Sequence, residues 1–280
     1  MKKIVIYYFS GTGNTWWLAK ALQEKLSQHK HQVACHSIET LTAKEGIDLP
    51  GDFDHIIFGF PVYGSTAPKL MLDFMHHFPD AAHSQTVSVF GTHALASGDT
   101  AYHISKLLAK KGYLIKQTMH FTMMTNLHIP RFRFLPPRND YRVSKLHQKT
   151  LPKVEKLAHA ITFDKNIIVG KNLPGFLLGY LQRSHVDKLI ATASRDFEVD
   201  MSRCTRCNKC QRICPVHNIV KTDSSYTFKN NCILCMRCYS QCPKCAILIG
   251  KASSDEIKYP RYRGPEPSFD AQILTNHISS

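Results

Sequence analysis

A run of four cysteines occurs twice in the last third of the chain and restricts how that region can fold. Nine of the ten cysteines lie between Cys204 and Cys245. The first run ends in Cys214-Pro215, and the same spacing ends in Cys242-Pro243 28 residues later. Ile219 and Ile247 match at that offset, so the segment is an internal repeat. Clustered thiols in such a repeat indicate metal or redox chemistry rather than disulfides.

The spacing of each run, Cys-x2-Cys-x2-Cys-x3-Cys-Pro, is typical of [4Fe–4S] ligation, in which the fourth cysteine serves the other cluster. Three thiolates three residues apart can wrap a turning loop around three corners of a cubane. The proline after the fourth cysteine keeps the chain from continuing as a helix. We therefore predict a cluster I held by Cys204, Cys207, Cys210 and Cys242, and a cluster II held by Cys232, Cys235, Cys238 and Cys214. Such a domain should fold only with its clusters.

Zinc is the alternative occupant, although zinc sites commonly use two Cys-x2-Cys pairs rather than two complete four-cysteine runs. Over about residues 195–250 the chain resembles the bacterial two-cluster ferredoxins, which implies a small α+β domain with two [4Fe–4S] clusters. Two thiols remain outside the runs. Cys245 is either a free thiol near cluster I or an alternative ligand, and Cys35 is expected in the core of a strand.

A second motif lies at the other end of the chain. Lys3 to Phe9 is a β-branched and aromatic run, which predicts a strand buried on both faces of a parallel sheet. The hydroxyl- and glycine-rich turn Ser10–Thr15 follows, and then a helical pattern begins. Backbone N–H groups, hydroxyls and the helix dipole would converge there on an anion. The turn lacks the lysine of a P-loop and the third glycine of a dinucleotide fingerprint, so a monophosphate fits best.

This turn is similar to the FMN phosphate loop of the flavodoxins, Thr/Ser-x-Thr-Gly-x-Thr. The resemblance implies FMN as the cofactor, with a phosphate loop formed by Ser10, Thr12, Gly13, Asn14 and Thr15. It also implies that two later loops flank the isoalloxazine. One wall would consist of Pro61, Val62, Tyr63 and Gly64, and the candidates for the other are Phe90, Gly91, Thr92, Gly98, Asp99 and Tyr102. Tyr63 would stack on the ring, unless it packs into the core instead.

Alternating strand and helix patterns surround these loops and predict an α/β flavodoxin-like, doubly wound parallel sheet. We expect four regions: a flavodoxin-like FMN-binding domain at 1–165, a connecting segment at 166–195, the ferredoxin domain at 196–250 and a C-terminal arm at 251–280. A last helix from 141 to 163 should break near Pro152. The apolar stretch Phe176–Leu181 should pack between the domains.

A proline- and arginine-rich insertion at 129–138 is predicted to be an exposed loop or a strand edge. It could cover the flavin, meet the ferredoxin domain, bind a partner or simply be solvated. His29, His31, His76, His77 and His83 are expected at the surface, because none has a second ligand at metal spacing. No constellation of catalytic residues is recognisable.

The chain has 36 Lys and Arg against 21 Asp and Glu, a formal net charge of +15, which invites a nucleic-acid-binding interpretation. Anionic cofactors would account for part of this excess, since Arg203, Arg206, Lys209, Arg212, Arg237 and Lys244 lie within the cysteine motifs. The remainder suits an acidic redox partner protein better than a nucleic acid. No apolar run is long enough for a membrane span, and we expect a cytoplasmic protein.

Over residues 1–250 the chain resembles a family of flavodoxin–ferredoxin fusion proteins found chiefly in anaerobic microbes and regarded as electron carriers. The resemblance implies transfer of electrons between two [4Fe–4S] clusters and FMN, in the service of other redox enzymes. The alternative is a flavin-dependent reductase of a small quinone or nitro compound, fed by its own ferredoxin domain. An iron–sulfur protein that binds nucleic acid is the third hypothesis, and it predicts salt-dependent binding.

Overall fold

The computed structural model describes residues 1–42, 53–82, 85–135 and 140–275, and the chain divides into two compact units. Unit 1 comprises Met1–Ser10, Asn14–Met123 and Ser144–His185, and unit 2 comprises Gly11–Gly13, Met124–Val143 and Val186–Ser280. The three residues Gly11–Gly13 therefore group with the C-terminal part of the chain. No helix in the described ranges is long and apolar enough to cross a membrane.

Unit 1 contains a six-stranded parallel sheet in the order β2-β1-β3-β4-β5-β6. Its strands are β1 (Lys3–Tyr8), β2 (Gln32–Ser37), β3 (His55–Pro61), β4 (Thr86–His93), β5 (Leu114–Thr122) and β6 (Ile167–Ile168). The central strands are buried along almost their whole length, as continuous apolar runs in a parallel sheet require. The order reverses direction beside β1, which is the topological switch point of a doubly wound sheet. The predicted flavodoxin-like fold is confirmed.

The helices of this part of the chain are α1 (Asn14–Gln28), α2 (Ile38–Thr42), α3 (Lys69–His77), α4 (Thr100–Lys110), α5 (Asp140–Thr162) and α6 (Leu173–Ser194). The predicted break at Pro152 is wrong, because α5 continues through this residue. Proline removes one backbone hydrogen bond from a helix. Val154 and Leu157, which are buried on the following turns, offset that loss by packing.

The stretch expected to be a simple connection contains the edge strand β6 and the 22-residue helix α6. Its apolar stretch is not buried as expected, since Leu177 is 60% and Tyr180 70% exposed. Apolar residues recur on every side of this helix, and only part of such a surface can face a packing partner. Gly179 and Val186 are among its buried positions.

Unit 2 contains two short antiparallel strand pairs and two short helices. Strand β7 (Phe197–Val199) pairs with β10 (Ile247–Ile249), and β8 (Ile219–Lys221) pairs with β9 (Tyr226–Phe228). Helices α7 (Lys209–Arg212) and α8 (Arg237–Gln241) lie at matching positions of the two cysteine runs. This is the small α+β fold expected for the repeat.

The insertion after β5 belongs to unit 2 and is not wholly exposed as predicted. Ile129 is fully buried in a core with Phe197, Met236 and other residues, and Phe132 packs against that core. A 3-10 turn at Pro130–Phe132 lets these two side chains point inward, whereas Phe134 stays exposed. Of the residues singled out above, His83 and Pro136, Pro137 and Arg138 of the insertion lie outside the described residues.

The C-terminal arm also belongs to unit 2 and packs closely on it. Tyr259, Tyr262 and Leu274 are buried, although regular secondary structure in the described part of the arm is limited to two 3-10 turns. The arm is thus held by individual aromatic and arginine side chains rather than by strand pairing.

Candidate cofactor sites

The eight cysteines of the repeat line two separate cavities in unit 2. Cys204, Cys207, Cys210 and Cys242 line the first, which we call the cluster I cavity. The second, the cluster II cavity, is lined by Cys214, Cys232, Cys235 and Cys238. Each cavity therefore takes three cysteines from one run and the fourth from the other run. The two sets are those that the spacing predicts, and their role as ligands remains a prediction.

The backbone around the two cavities repeats as closely as the sequence does. Positive φ angles occur in pairs at the 28-residue offset: Arg206 and Leu234, Asn208 and Met236, and His217 and Cys245. The left-handed conformation is costly for residues other than glycine, and such residues cluster at functional sites. Two of these turns lie between the first and third cysteine of each run. They bend the loop so that its thiols reach one cavity.

Backbone N–H groups donate hydrogen bonds to the sulfur atoms of the cysteines that cross between runs. The Asn218 N–H lies 3.2 Å from Cys214 Sγ, and the Ala246 N–H lies 3.2 Å from Cys242 Sγ. Hydrogen bonds to the sulfurs of an iron–sulfur site stabilise negative charge there and raise its reduction potential. The repeat thus provides the same donor at both sites.

Burial raises the pKa of several of these thiols. The pKa of Cys235 rises to about 12 and that of Cys210 to about 11, chiefly because burial disfavours the thiolate. Sets of soft sulfur donors that bind as thiolates suit iron–sulfur clusters, and binding displaces the thiol protons. Within the described ranges, no three His, Cys, Asp or Glu side chains converge closely enough to hold a single ion. The thiols instead surround two cavities, which fits a cluster at each.

The two cavities are neighbours. Cys210 of the first set and Cys238 of the second pack against the same two apolar cores. The pKa of Cys238 is raised first by burial and then by the charges of nearby thiols, Cys210 among them. Groups bound in the two cavities would therefore interact electrostatically.

Arginines of the C-terminal arm hold the turn after Cys242. Arg263 Nη1 donates to the Cys242 carbonyl at 2.7 Å, and Arg263 Nη2 donates to Cys245 Sγ at 3.0 Å. The guanidinium of Arg261 lies 3.3 Å from the centre of the Tyr239 ring. Cys245 is buried but is outside the residues that line the cluster I cavity. These contacts favour a structural thiol over a ligand at this position.

The glycine-rich turn follows β1 and leads into α1. The side chains of Ser10, Thr12 and Thr15 are buried, and Gly13 has a φ of +100°. The Thr12 Oγ1 accepts a hydrogen bond of 2.9 Å from Asn126, which sequence reasoning missed. In unit 1, Thr15 shares a hydrogen bond of 2.8 Å with Thr92, near the carboxyl end of β4. Buried hydroxyls at a helix N-terminus fit the phosphate of FMN.

The other residues predicted to contact the flavin lie in unit 1, at the carboxyl ends of β3 and β4 and in the loops that follow. We call the loop after β3 the second loop and the loop after β4 the third loop. Val62 N–H donates to the Thr92 carbonyl at 2.8 Å, which joins the two loops. Pro61, Tyr63 and Gly64 are half-buried. Phe90 is fully buried against Phe121 and Gly59, so it packs in the core. Gly91 lies beside Val62.

Helix α6 fastens the end of the third loop. Arg183 Nη2 donates to Asp99 Oδ2 at 3.2 Å, and Nη1 donates to Asp99 Oδ1 and to the Ser65 carbonyl. A Cβ on Gly98 would lie 3.0 Å from the Gly179 Cα, and Tyr102 packs on Phe176. Three residues predicted to contact the flavin therefore contact α6: Gly98, Asp99 and Tyr102. No motif marked Arg183 beforehand.

Histidines also shape these loops. His120 Nε2 accepts from the Ala101 N–H at 2.9 Å, and its other nitrogen lies 3.0 Å from Ser97 Oγ. Burial lowers the pKa of His120 to about 4, so the ring stays neutral and can accept.

His76 and His77 are exposed as predicted, whereas His29 and His31 are half-buried and bonded to Glu155 and Thr162. Cys35 is half-buried in β2, and burial raises its pKa to about 12.

Comparison with known proteins gives two family matches. Residues 5–137 match the flavodoxin domain, and residues 197–220 match the 4Fe-4S binding domain. No curated protein matches the chain. These two matches agree with the parallel sheet of unit 1 and the cysteine repeat of unit 2.

Several solved structures match part of the chain. A flavodoxin from the domain Archaea is 15% identical, with 58% of this chain and 97% of the other covered and a TM-score of 0.40. Oxidised flavodoxin 2 from Bacillus cereus is 20% identical, with the same coverage and a TM-score of 0.38. The rubredoxin oxygen:oxidoreductase from the anaerobe Desulfovibrio gigas is 18% identical, with 56% and 37% covered and a TM-score of 0.37.

The two family matches indicate the cofactors of the two matched domains. A flavodoxin domain implies FMN, and a 4Fe-4S domain implies iron–sulfur clusters, so both expected cofactor types are confirmed. The chain fuses these two domains and has an electron-transfer role.

Proposed function

We propose that this fusion of a flavodoxin domain with a 4Fe-4S domain carries electrons between two [4Fe–4S] clusters and one FMN, and exchanges them with other redox enzymes. The observation that carries the proposal is the division of eight cysteines between two neighbouring cavities, four to each. When bound, FMN can take up one or two electrons and each cluster one.

The cysteine sets hold and insulate the clusters in this proposal. Cys204, Cys207, Cys210 and Cys242 would bind cluster I, and Cys232, Cys235, Cys238 and Cys214 would bind cluster II. The apolar cores around Ile219 and Ile247 exclude water, and the Asn218 and Ala246 N–H groups stabilise the sulfur charge. Burial and hydrogen bonding are the means by which a protein sets the potential of such sites.

The glycine-rich turn would bind the FMN phosphate through its N–H groups and the hydroxyls of Ser10, Thr12 and Thr15. Gly13 gives the chain its left-handed turn, and Asn14 begins the helix whose dipole favours an anion. The second and third loops would flank the isoalloxazine, with Tyr63 as the stacking ring. In this proposal Asp99 acts through Arg183, by keeping the third loop in place.

An acidic protein is the partner that fits the charge of the chain. The net charge is +15, and negative cofactors would neutralise only part of it. Complementary charge accelerates encounter between redox proteins and makes it sensitive to salt. The rate of electron exchange with an acidic carrier such as a ferredoxin should therefore fall steeply as salt is added. A rate that does not depend on salt would contradict an acidic partner.

The experiment that tests the proposed electron path is rapid anaerobic reduction of the holo-protein and of a Cys242→Ser variant. We expect FMN reduction to slow at least about tenfold when cluster I is lost, because the path through both clusters is then interrupted and electrons can enter only at cluster II or directly at the flavin. Cys245→Ser is the matched control and should reduce FMN at the native rate. Unchanged FMN reduction in Cys242→Ser would show that the clusters do not feed the flavin. In that case a quinone or nitro compound reduced directly at the flavin would be the function to test.

A further inference from the structure

Arg237 is the largest side chain that is fully buried among the described residues. It lies between Cys235 and Cys238 and lines the cluster II cavity. A buried guanidinium is expensive unless it is hydrogen-bonded and faces negative charge. Apolar packing alone would not offset the cost of burying this charge.

The guanidinium donates to two backbone carbonyls from distant parts of unit 2. Nε lies 3.1 Å from the Gly11 carbonyl oxygen, and Nη1 lies 2.9 Å from the Ile213 carbonyl oxygen. All three residues belong to unit 2. Gly11 is part of the glycine-rich turn, and Ile213 immediately precedes Cys214.

Fixing a carbonyl also fixes the N–H on the other side of the same peptide. The peptide bonds of the described residues are all trans, so each planar peptide directs its C=O and N–H in opposite directions. Arg237 thereby orients the N–H of Thr12, in the turn proposed to bind phosphate. It also orients the peptide that leads into Cys214, the cysteine that crosses to cluster II.

The repeat supplies a comparison, because Lys209 occupies the equivalent position in the first cysteine run. Lys209 is not buried in this way and forms an ion pair of 2.8 Å with Asp270. The repeated motif thus accommodates a cation at this position without burying it. The burial of Arg237 is a departure from the symmetry of the repeat.

We propose that Arg237 is a positioning residue for both the FMN phosphate turn and cluster II, so that one side chain sets FMN affinity and the potential of one cluster. The inference rests on the proposed function, since it assumes that both groups are bound. A fixed positive charge also favours the reduced cluster, which carries one more negative charge than the oxidised form. Cluster I should be little affected.

The test compares three variants of the full-length holo-protein: Arg237→Gln, Arg237→Lys and the matched control Lys209→Gln. EPR-monitored titration gives the potential of each cluster, and flavin fluorescence gives the FMN dissociation constant. In Arg237→Gln we expect one-electron reduction of cluster II to become about tenfold less favourable, ~59 mV, with cluster I unchanged. FMN should bind about tenfold more weakly. In Lys209→Gln both cluster II and FMN affinity should keep their native values.

Arg237→Lys separates charge from geometry, because lysine keeps the charge but lacks the rigid fork that reaches two carbonyls. In this variant the equilibrium constant for one-electron reduction of cluster II should stay within about threefold of the native value. FMN should still bind about tenfold more weakly. This variant decides the question if Arg237→Gln does not assemble cluster II. Native FMN affinity in Arg237→Lys, or equal shifts of both clusters in Arg237→Gln, would overturn the inference. A native protein without FMN or clusters would instead refute the proposed function.

Discussion

Arg183 binds both carboxylate oxygens of Asp99 and also donates to the carbonyl of Ser65. One helix residue thus joins the ends of the two loops that are proposed to flank the flavin. Asp99 is almost completely buried, so the pair is shielded from solvent on one side. The neighbouring Gln182 accepts a hydrogen bond from Ser65 Oγ, which strengthens the same junction.

Replacing Arg183 by Gln should loosen both loops. Loss of hydrogen bonds to a buried carboxylate should lower the free energy of unfolding by about 2 kcal/mol. The FMN dissociation constant should rise about tenfold. Urea unfolding and flavin fluorescence measure the two effects. Lys188→Gln, an exposed charge on the same helix, is the control and should change neither value. Native FMN affinity in Arg183→Gln would show that the loops do not depend on this pair.

Crossed ligation predicts that each cluster depends on one cysteine from the other run, Cys242 for cluster I and Cys214 for cluster II. Cys242→Ser should abolish cluster I, although the other three cysteines of the same run, Cys232, Cys235 and Cys238, line the cluster II cavity. Cys214→Ser should abolish cluster II in the same way. EPR of the reduced proteins distinguishes the clusters by their potentials, and FMN should remain bound in both variants. Loss of the cluster belonging to the same run would contradict crossed ligation.

Gly13 should be intolerant of a side chain for two reasons. Its φ is +100°, and an added Cβ would clash with Pro265 and lie 2.8 Å from the Phe269 ring in the C-terminal arm of the same unit. Gly13→Ala should therefore displace the turn and weaken FMN binding by at least about tenfold. Gly112→Ala is the matched control, because Gly112 has a φ of +86° and its Cβ would lie at an ordinary contact distance of 3.5 Å from the Ala81 Cβ. Equal FMN affinity in the two variants would contradict a role for this contact.

Acid should destabilise unit 1 through a buried histidine. His55 is hydrogen-bonded to Thr86 and Ser88, and burial lowers its pKa to about 3. As the pH falls below about 6.5, the unfolded chain binds a proton that the folded one cannot. The contribution of neutral His55 to the free energy of unfolding is therefore fully present above about pH 6.5. It is lost as the pH falls toward 3, by up to roughly 1.4 kcal/mol per pH unit.

Urea unfolding followed by circular dichroism at several pH values measures this slope. The slope should be smaller in His55→Gln, which cannot take up the proton. The remaining slope should come from other histidines whose pKa burial also lowers, His120 and His147 among them. An identical slope in His55→Gln would show that His55 does not contribute.

The sequence was most informative where chemistry demands particular residues at fixed spacing. The two cysteine runs and the glycine-rich turn were recognisable because ligand spacing and a phosphate loop tolerate few alternatives. The doubly wound sheet followed from alternating strand and helix patterns, and β1 ends one residue before the predicted run from Lys3 to Phe9 does. The predicted break in α5 near Pro152 was wrong because proline can be accommodated within a helix that packs well.

Long-range side-chain contacts were not accessible from the sequence. Nothing in the sequence around Arg183 or Arg237 indicates which carboxylate or carbonyl it will meet, since the partners lie far away along the chain. Helix α6 was missed because its apolar residues occur on all sides and give no helical periodicity. The burial of Ile129 likewise depends on a core assembled from the cysteine repeat.

Counting the cofactors in the protein purified without oxygen tests whether the chain holds both FMN and two clusters. Metal and flavin analysis should find one FMN and about eight iron atoms per chain. Stepwise reduction watched by EPR should then resolve two separate cluster signals. Zinc in place of iron, or no flavin together with fewer than two clusters, would contradict the account.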